Sequence, residues 1–162
     1  MSAQAILKSG LRIMPHSGGR VGRGIYLADC QEKSASYVQS AGGYAIMFLV
    51  EAALGAQHVV EQDGAHASGL VAPPAGFDSV LARGQIVPEP AKDATLKLGR
   101  HAVAVPQGAP RPSGASGSSF RHNEYLIYKV TRGVTDATAA SRARPRASPP
   151  RPAAHNLLRT AH

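Results

Sequence analysis

GRGIYLADCQEKSASY, residues 22–37, changes character at its middle. Residues 25–28 are a short apolar run behind a Gly-Arg-Gly turn and read as a strand, whereas residues 29–41 are mostly small and polar and read as a helix. Asp29 is placed to cap that helix, because Glu32 follows three positions later with the spacing of a capping box. The resulting strand-to-helix corner carries Tyr26 on the strand and Tyr37 on the helix, with Lys33 and Ser34 between them. The chain has no Trp and five Tyr, so two aromatic side chains around one corner call for an explanation.

Working upstream, AQAILKSGLRIMP (3–15) opens with a turn of apolar-periodic helix that stops at Gly10, and Leu11 and Ile13 suit a brief extended piece before Pro15. HSGGRVGRG (16–24) is a loop whose glycines would let backbone amides approach an anion or a flat ligand. It lacks the Gly-Lys-Ser/Thr ending of a phosphate loop and does not complete a dinucleotide fingerprint. Downstream, YAIMFLVEAALGA (44–56) is rich in large aliphatics and reads as a buried central strand, with a buried helix as the alternative. Residues 57–76 read as a polar connection, 79–82 as a strand and 84–95 as a loop. LKLGRHAVAVPQG (96–108) reads as a β-hairpin, RPSGASGSS (111–119) as a flexible linker, and NEYLIYKV (123–130) as a core strand. The pattern is that of an α+β fold, mostly antiparallel strands with one or two short helices, occupying residues 1–130.

At 162 residues the chain has the length of one domain. Its net charge of +8 is unevenly spread: residues 131–162 carry +5 and the preceding 130 only +3. That tail combines repeated Arg and Pro with few large apolar residues, a composition expected to stay disordered and able to hold nucleic acid in a salt-sensitive way. No run approaches the roughly 18 apolar residues of a membrane span. The lone Cys30 rules out an internal disulfide and is expected to be buried and idle. His58, His66 and His101 lack zinc-ligand spacing, so no metal site is expected, and no Gly-x-Ser-x-Gly elbow is present.

One further feature stands out: Glu124 lies between Asn123 and Tyr125 in an otherwise apolar strand, where a carboxylate is costly unless something uses it. Two tyrosines packed in a core and a glutamate facing solvent would account for the same residues. The order and separation of GLRIMP, GRGIYLAD, EKSASY, FDSV, VPEP and NEYLIY decide between these readings. Together they resemble the C-terminal half of the catalytic domain of the poly(ADP-ribose) polymerases, nearest in look to the short-looped, mono-ADP-ribosylating member of the DNA-dependent group.

That resemblance implies a partial split-sheet ADP-ribosyltransferase fold and a nuclear, DNA-repair setting, with NAD as substrate and acceptor proteins as partners. It implies that Tyr26 and Tyr37 hold the nicotinamide ring between them, that Ser34 bonds the carboxamide and that Lys33 lines the acceptor side. Glu124 is implied as the catalytic residue, gripping the ribose and stabilising the charge that grows on it. Arg12 and the loop to Gly24 resemble the segment covering the adenosine side of NAD. The chain has no His-Gly-Ser/Thr motif, which in such enzymes binds the ribose, and His16 sits in the wrong place to supply it. Strands of the family domain are expected to be missing at both ends, leaving sheet edges unpaired and transfer impaired. A non-catalytic interaction fragment and a basic nucleic-acid binder are the competing expectations.

Overall fold

The computed structural model describes residues 3–13, 18–37, 46–98, 101–129 and 156–161. Its larger sheet runs in the order β3 (Gln57–Val60), β4 (Ser79–Ala82), β10 (Glu124–Ile127), β1 (Ile25–Ala28), β11 (Asn156–Ala161), β7 (His101–Val105), β6 (Ala94–Leu98), with β2 (Phe48–Ala53) joined to β11. A smaller sheet holds β8 (Pro110–Pro112), β5 (Gly84–Pro88) and β9 (Phe120–His122). Among the described residues there are three short helices, α1 (Ala3–Ser9), α2 (Gln31–Ala35) and α3 (Ala65–Ser68), and a 3₁₀ turn at Pro90–Lys92. Most pairs are antiparallel, the parallel ones being β3 with β4, β5 with β9 and β7 with β11. The fold is α+β and strand-rich, as the sequence leads one to expect.

The centre is the β4–β10–β1 triplet, held in register by Tyr26 opposite Leu126 and Glu124 opposite Ala82. Alternation along these strands sorts side chains to two faces. Ile25, Leu27 and Tyr125 pack with Ala52 and Leu54 in one cluster, joined by Leu81. Leu126, Val80 and Ala82 pack with Val21 and Phe120 in the other, with Tyr26 against them. Tyr26 is thus on the face that Leu126 occupies, and by the two-residue period Glu124 shares it.

Several elements depart from expectation. The 44–56 run is a strand only over Phe48–Ala53; Leu49 is 56% exposed and its one described partner strand is β11, so β2 is not the buried centre of the sheet. From the 44–56 run, Ala52 and Leu54 are buried in the core and Val50 packs against it. The supposed connection after it contains β3, which pairs with β4 although His58 and Gln57 make it look polar. The 84–95 loop contains β5, and part of the expected linker forms β8, where two prolines fit a strand paired with β5 alone. Ala115 and Ser118 of the same stretch are buried, so it is not a free linker. The strands at 25–28 and 79–82 and the 96–108 hairpin are found as expected.

The unstructured tail expected over 131–162 lies outside the described residues as far as 155, and departs from expectation at 156–161, which form β11. Open strand edges on both sides recruit that segment, and no local pattern in six residues announces such partners.

Candidate active site

Helix α2 begins one residue later than Asp29 suggests: Cys30, buried, stands at the N-cap without a side-chain cap bond. Asp29 turns its carboxylate elsewhere. Its Oδ2 accepts hydrogen bonds from Asn123 Nδ2 at 2.8 Å and from the Tyr125 hydroxyl at 2.9 Å, and Asn123 Nδ2 also donates to that hydroxyl at 3.0 Å. On its other side the Asn123 amide oxygen accepts the Gly84 N–H at 2.8 Å. Gly84 is required there, because a Cβ would run into the backbone of His122 and Asn123. The two residues flanking Glu124 therefore bolt the β1–α2 corner and β5 to the strand that carries the glutamate.

Glu124 is 5% exposed and pairs with Lys33, whose Nζ lies 2.9 Å from Oε1. The same ammonium donates to the Tyr37 hydroxyl at 3.1 Å and stands 4.8 Å from the centroid of the Tyr37 ring. Burial works against the charged lysine, yet the bonds to Glu124 and Tyr37 outweigh it and hold its pKa above the usual value. One cation is thus seated between an aromatic face and a carboxylate. Tyr37 itself is 56% exposed, at the rim.

Tyr26 is half-buried. Its hydroxyl donates to the Gly22 carbonyl at 2.8 Å and accepts the Val21 N–H at 3.2 Å, tying the glycine loop to β1. Burial, with smaller contributions from Glu124 and Tyr37, pushes this phenol up to about 12, so it stays neutral at physiological pH. Ser34 is fully buried on α2. Tyr26, Tyr37, Lys33, Ser34 and Glu124 are therefore gathered at one corner. Gly24 is also buried nearby, but what approaches it closely is the Ile127 carbonyl of β10, so its lack of a side chain serves strand pairing. Arg12 is exposed after α1, and no described contact brings it to this corner. The start of the glycine loop, 14–17, lies outside the described residues.

Sequence reasoning missed Asp29 as a brace and His122 altogether. The signal for the brace was a second acid at the end of β1, facing an Asn and a Tyr that bracket Glu124. His122 is 6% exposed, two residues before Glu124, and among the described residues its Nδ1 has no hydrogen-bond partner. Burial lowers its pKa from 6.5, with Arg121 and Lys33 acting in the same direction and Glu32 and Asp29 opposing. Below 6.5 the unfolded chain therefore binds the proton more readily, so this contribution to stability is complete above 6.5 and is lost as pH falls through the folded value. Urea melts between about pH 7.5 and 5 should show His122→Gln with a shallower loss of stability on acidification than wild type; parallel curves would show that His122 does not titrate differently on unfolding.

A family profile described as the poly(ADP-ribose) polymerase catalytic domain matches residues 2–133. Over 134 residues the chain is 56% identical to the protein mono-ADP-ribosyltransferase PARP3 of Mus musculus, a stretch covering 79% of this chain and 24% of that protein. The Homo sapiens PARP3 is 52% identical over 133 residues with the same two shares, and poly [ADP-ribose] polymerase 1 of Xenopus laevis is 36% identical over 133 residues, covering 78% of this chain and 12% of its own. The chain spans about a quarter of the length of the first two relatives. The matched stretch contains the corner, the helix and the Glu124 strand, and by sequence this chain belongs to the poly(ADP-ribose) polymerase catalytic-domain family.

Proposed function

We propose that the corner formed by β1, α2 and β10 binds NAD and transfers its ADP-ribose to side chains of acceptor proteins, in the nuclear, DNA-repair setting that the family resemblance suggests. The observation that carries this reading is the Lys33 ammonium held between the Tyr37 ring and the Glu124 carboxylate. Those are the surroundings a pyridinium joined to a ribose needs: an electron-rich face for the ring and an anion below the sugar. Tyr26 supplies a neutral ring whose hydroxyl is already engaged by the loop, and Ser34 a buried hydroxyl for the carboxamide.

In the reaction the ribose C1′–nitrogen bond breaks and its electron pair leaves with neutral nicotinamide. Positive charge develops on the sugar, as in glycoside hydrolysis, and Glu124 offsets it. A carboxylate oxygen of the acceptor, which has no proton to lose, then forms the new C1′–O bond. Lys33, already bonded to Glu124, holds that carboxylate in place on the acceptor side.

Ligand-induced stabilisation tests the binding half of the reading. A nicotinamide-mimicking inhibitor at about 100 times its Kd should add about 2.7 kcal/mol to stability. Tyr37→Ala, which removes an exposed ring, should leave the unliganded melting temperature nearly unchanged and remove most of the ligand-induced rise. An equal rise in wild type and Tyr37→Ala would show that no ring is held at this corner.

A further inference from the structure

We propose that His122 is the proton acceptor for a hydroxyl-bearing side chain presented at this corner, so that the site takes alcohols of the serine type as well as carboxylates. This role rests on the transfer reading of the same corner and belongs to a residue that the transfer to a carboxylate does not use. His122 is 6% exposed, and of its two ring nitrogens only Nδ1 is both sealed from solvent and without a partner among the described residues. Nε2 is left as the nitrogen that an incoming group can meet. A buried polar group that nothing in the fold satisfies is uncommon and calls for a role.

The position of the ring follows from the strand. Phe120 and Leu126 pack in one cluster, and alternation between them carries His122 and Glu124 to that same face. Asn123 and Tyr125, bonded to one another, take the opposite face. The charges that bear on His122 come from Glu32, Lys33 and Asp29 at the β1–α2 corner and from Arg121 on its own strand. On the adjacent β5 the residues paired with β9 are Gly84 and Ile86, neither of them ionisable. Lys33 is also the ammonium bonded to Glu124, so the imidazole and that carboxylate share a neighbour on the side where the acceptor enters.

A carboxylate attacks C1′ as an anion, whereas a hydroxyl must lose a proton as the C1′–O bond forms. Glu124 is engaged by Lys33 and by the ribose charge, which leaves that proton to another group. In the step assigned here the C1′–nitrogen bond breaks and its electron pair leaves with nicotinamide. The hydroxyl oxygen bonds C1′, and its proton passes to the lone pair of His122 Nε2, the neutral ring carrying its own N–H on Nδ1. Burial, joined by Arg121 and Lys33, holds the pKa of this ring below 6.5, so the ring is neutral at physiological pH, as a base must be.

Two peptides that differ only in Ser or Glu at one position, offered to the full chain with labelled NAD, supply the test. In wild type the ratio of serine to glutamate labelling should fall by about tenfold per pH unit once pH drops below the folded pKa of His122, because the protonated ring cannot take a second proton. Losses of folding or of NAD binding cancel in that ratio. His122→Gln should lower serine labelling by about 10²-fold, keep glutamate labelling within about twofold of wild type and flatten the pH dependence of the ratio. A wild-type ratio that stays flat from about pH 8 to 5 would overturn the proposal and leave the transfer reading in place. So would equal loss of both labels in a His122→Gln chain that melts like wild type; should that variant fail to fold, the wild-type ratio decides alone. Labelling of neither peptide by wild type would overturn the transfer reading and this role of His122 with it.

Discussion

Glu124→Gln is expected to lower transfer of labelled ADP-ribose to an acceptor protein by about 10²- to 10³-fold, the usual scale for removing one charge-stabilising group. The same variant should retain the melting-temperature rise given by a nicotinamide-mimicking ligand. The distinction matters because Glu124 has two jobs in this structure. Its side chain is 6% exposed and forms an ion pair with a Lys33 side chain that is 15% exposed. Truncating one partner of such a buried pair costs about 3–5 kcal/mol and could disorganise the corner by itself. Gln keeps an amide oxygen that can accept the Lys33 N–H bond, so it removes the charge while leaving the position filled. Transfer lost with ligand stabilisation kept would place the deficit in the charged transition state. Loss of both would mean that the ion pair serves only to hold the corner together, and labelling near the wild-type level would remove Glu124 from the chemistry.

How much of this was legible in the sequence differs by element. The β1 strand, β4, the hairpin and the Glu124 strand could be read because each combines a short apolar run with clear turn residues, and such patterns carry their own information. Of the corner, the residue types could be read, since Tyr26, Tyr37, Lys33, Ser34 and Glu124 lie on or beside β1, α2 and β10; their joint role is the proposal made above. What no local pattern supplies is partnership. β3 and β5 look polar or irregular because their strand state is set by β4, β8 and β9 beside them. β2 looked central because its composition is apolar, although half its positions face outward. β11 exists through its neighbours alone. Asp29 is the sharpest case. A capping-box spacing with Glu32 is a sound local signal, but two donors reaching across from β10 and the residue before it offer the carboxylate better partners than the N–H groups of a five-residue helix.

That choice by Asp29 leads to the second large effect expected here. Asp29→Ala should destabilise the protein by about 2–5 kcal/mol, because Asn123 Nδ2 and the Tyr125 hydroxyl, on two buried residues, each lose an acceptor. Asn123 and Tyr125 are 7% and 5% exposed, so solvent has little access to replace the lost oxygen. For a chain of this size the change corresponds to a fall of about 5–20 °C in melting temperature. Tyr125→Phe removes one donor and leaves the Asn123–Asp29 bond, and should cost only about 1 kcal/mol. In a double-mutant cycle the two substitutions should be clearly less than additive, since Tyr125→Phe leaves no hydroxyl to be stranded when Asp29 is gone. The site should respond too. Without the brace the α2 corner is no longer fixed to β10, so Lys33 and Glu124 lose their common frame, and ligand stabilisation should fall along with the melting temperature. A loss below about 0.5 kcal/mol for Asp29→Ala, within the range of an ordinary surface change, would show that water satisfies these donors and that the corner is positioned by apolar packing instead.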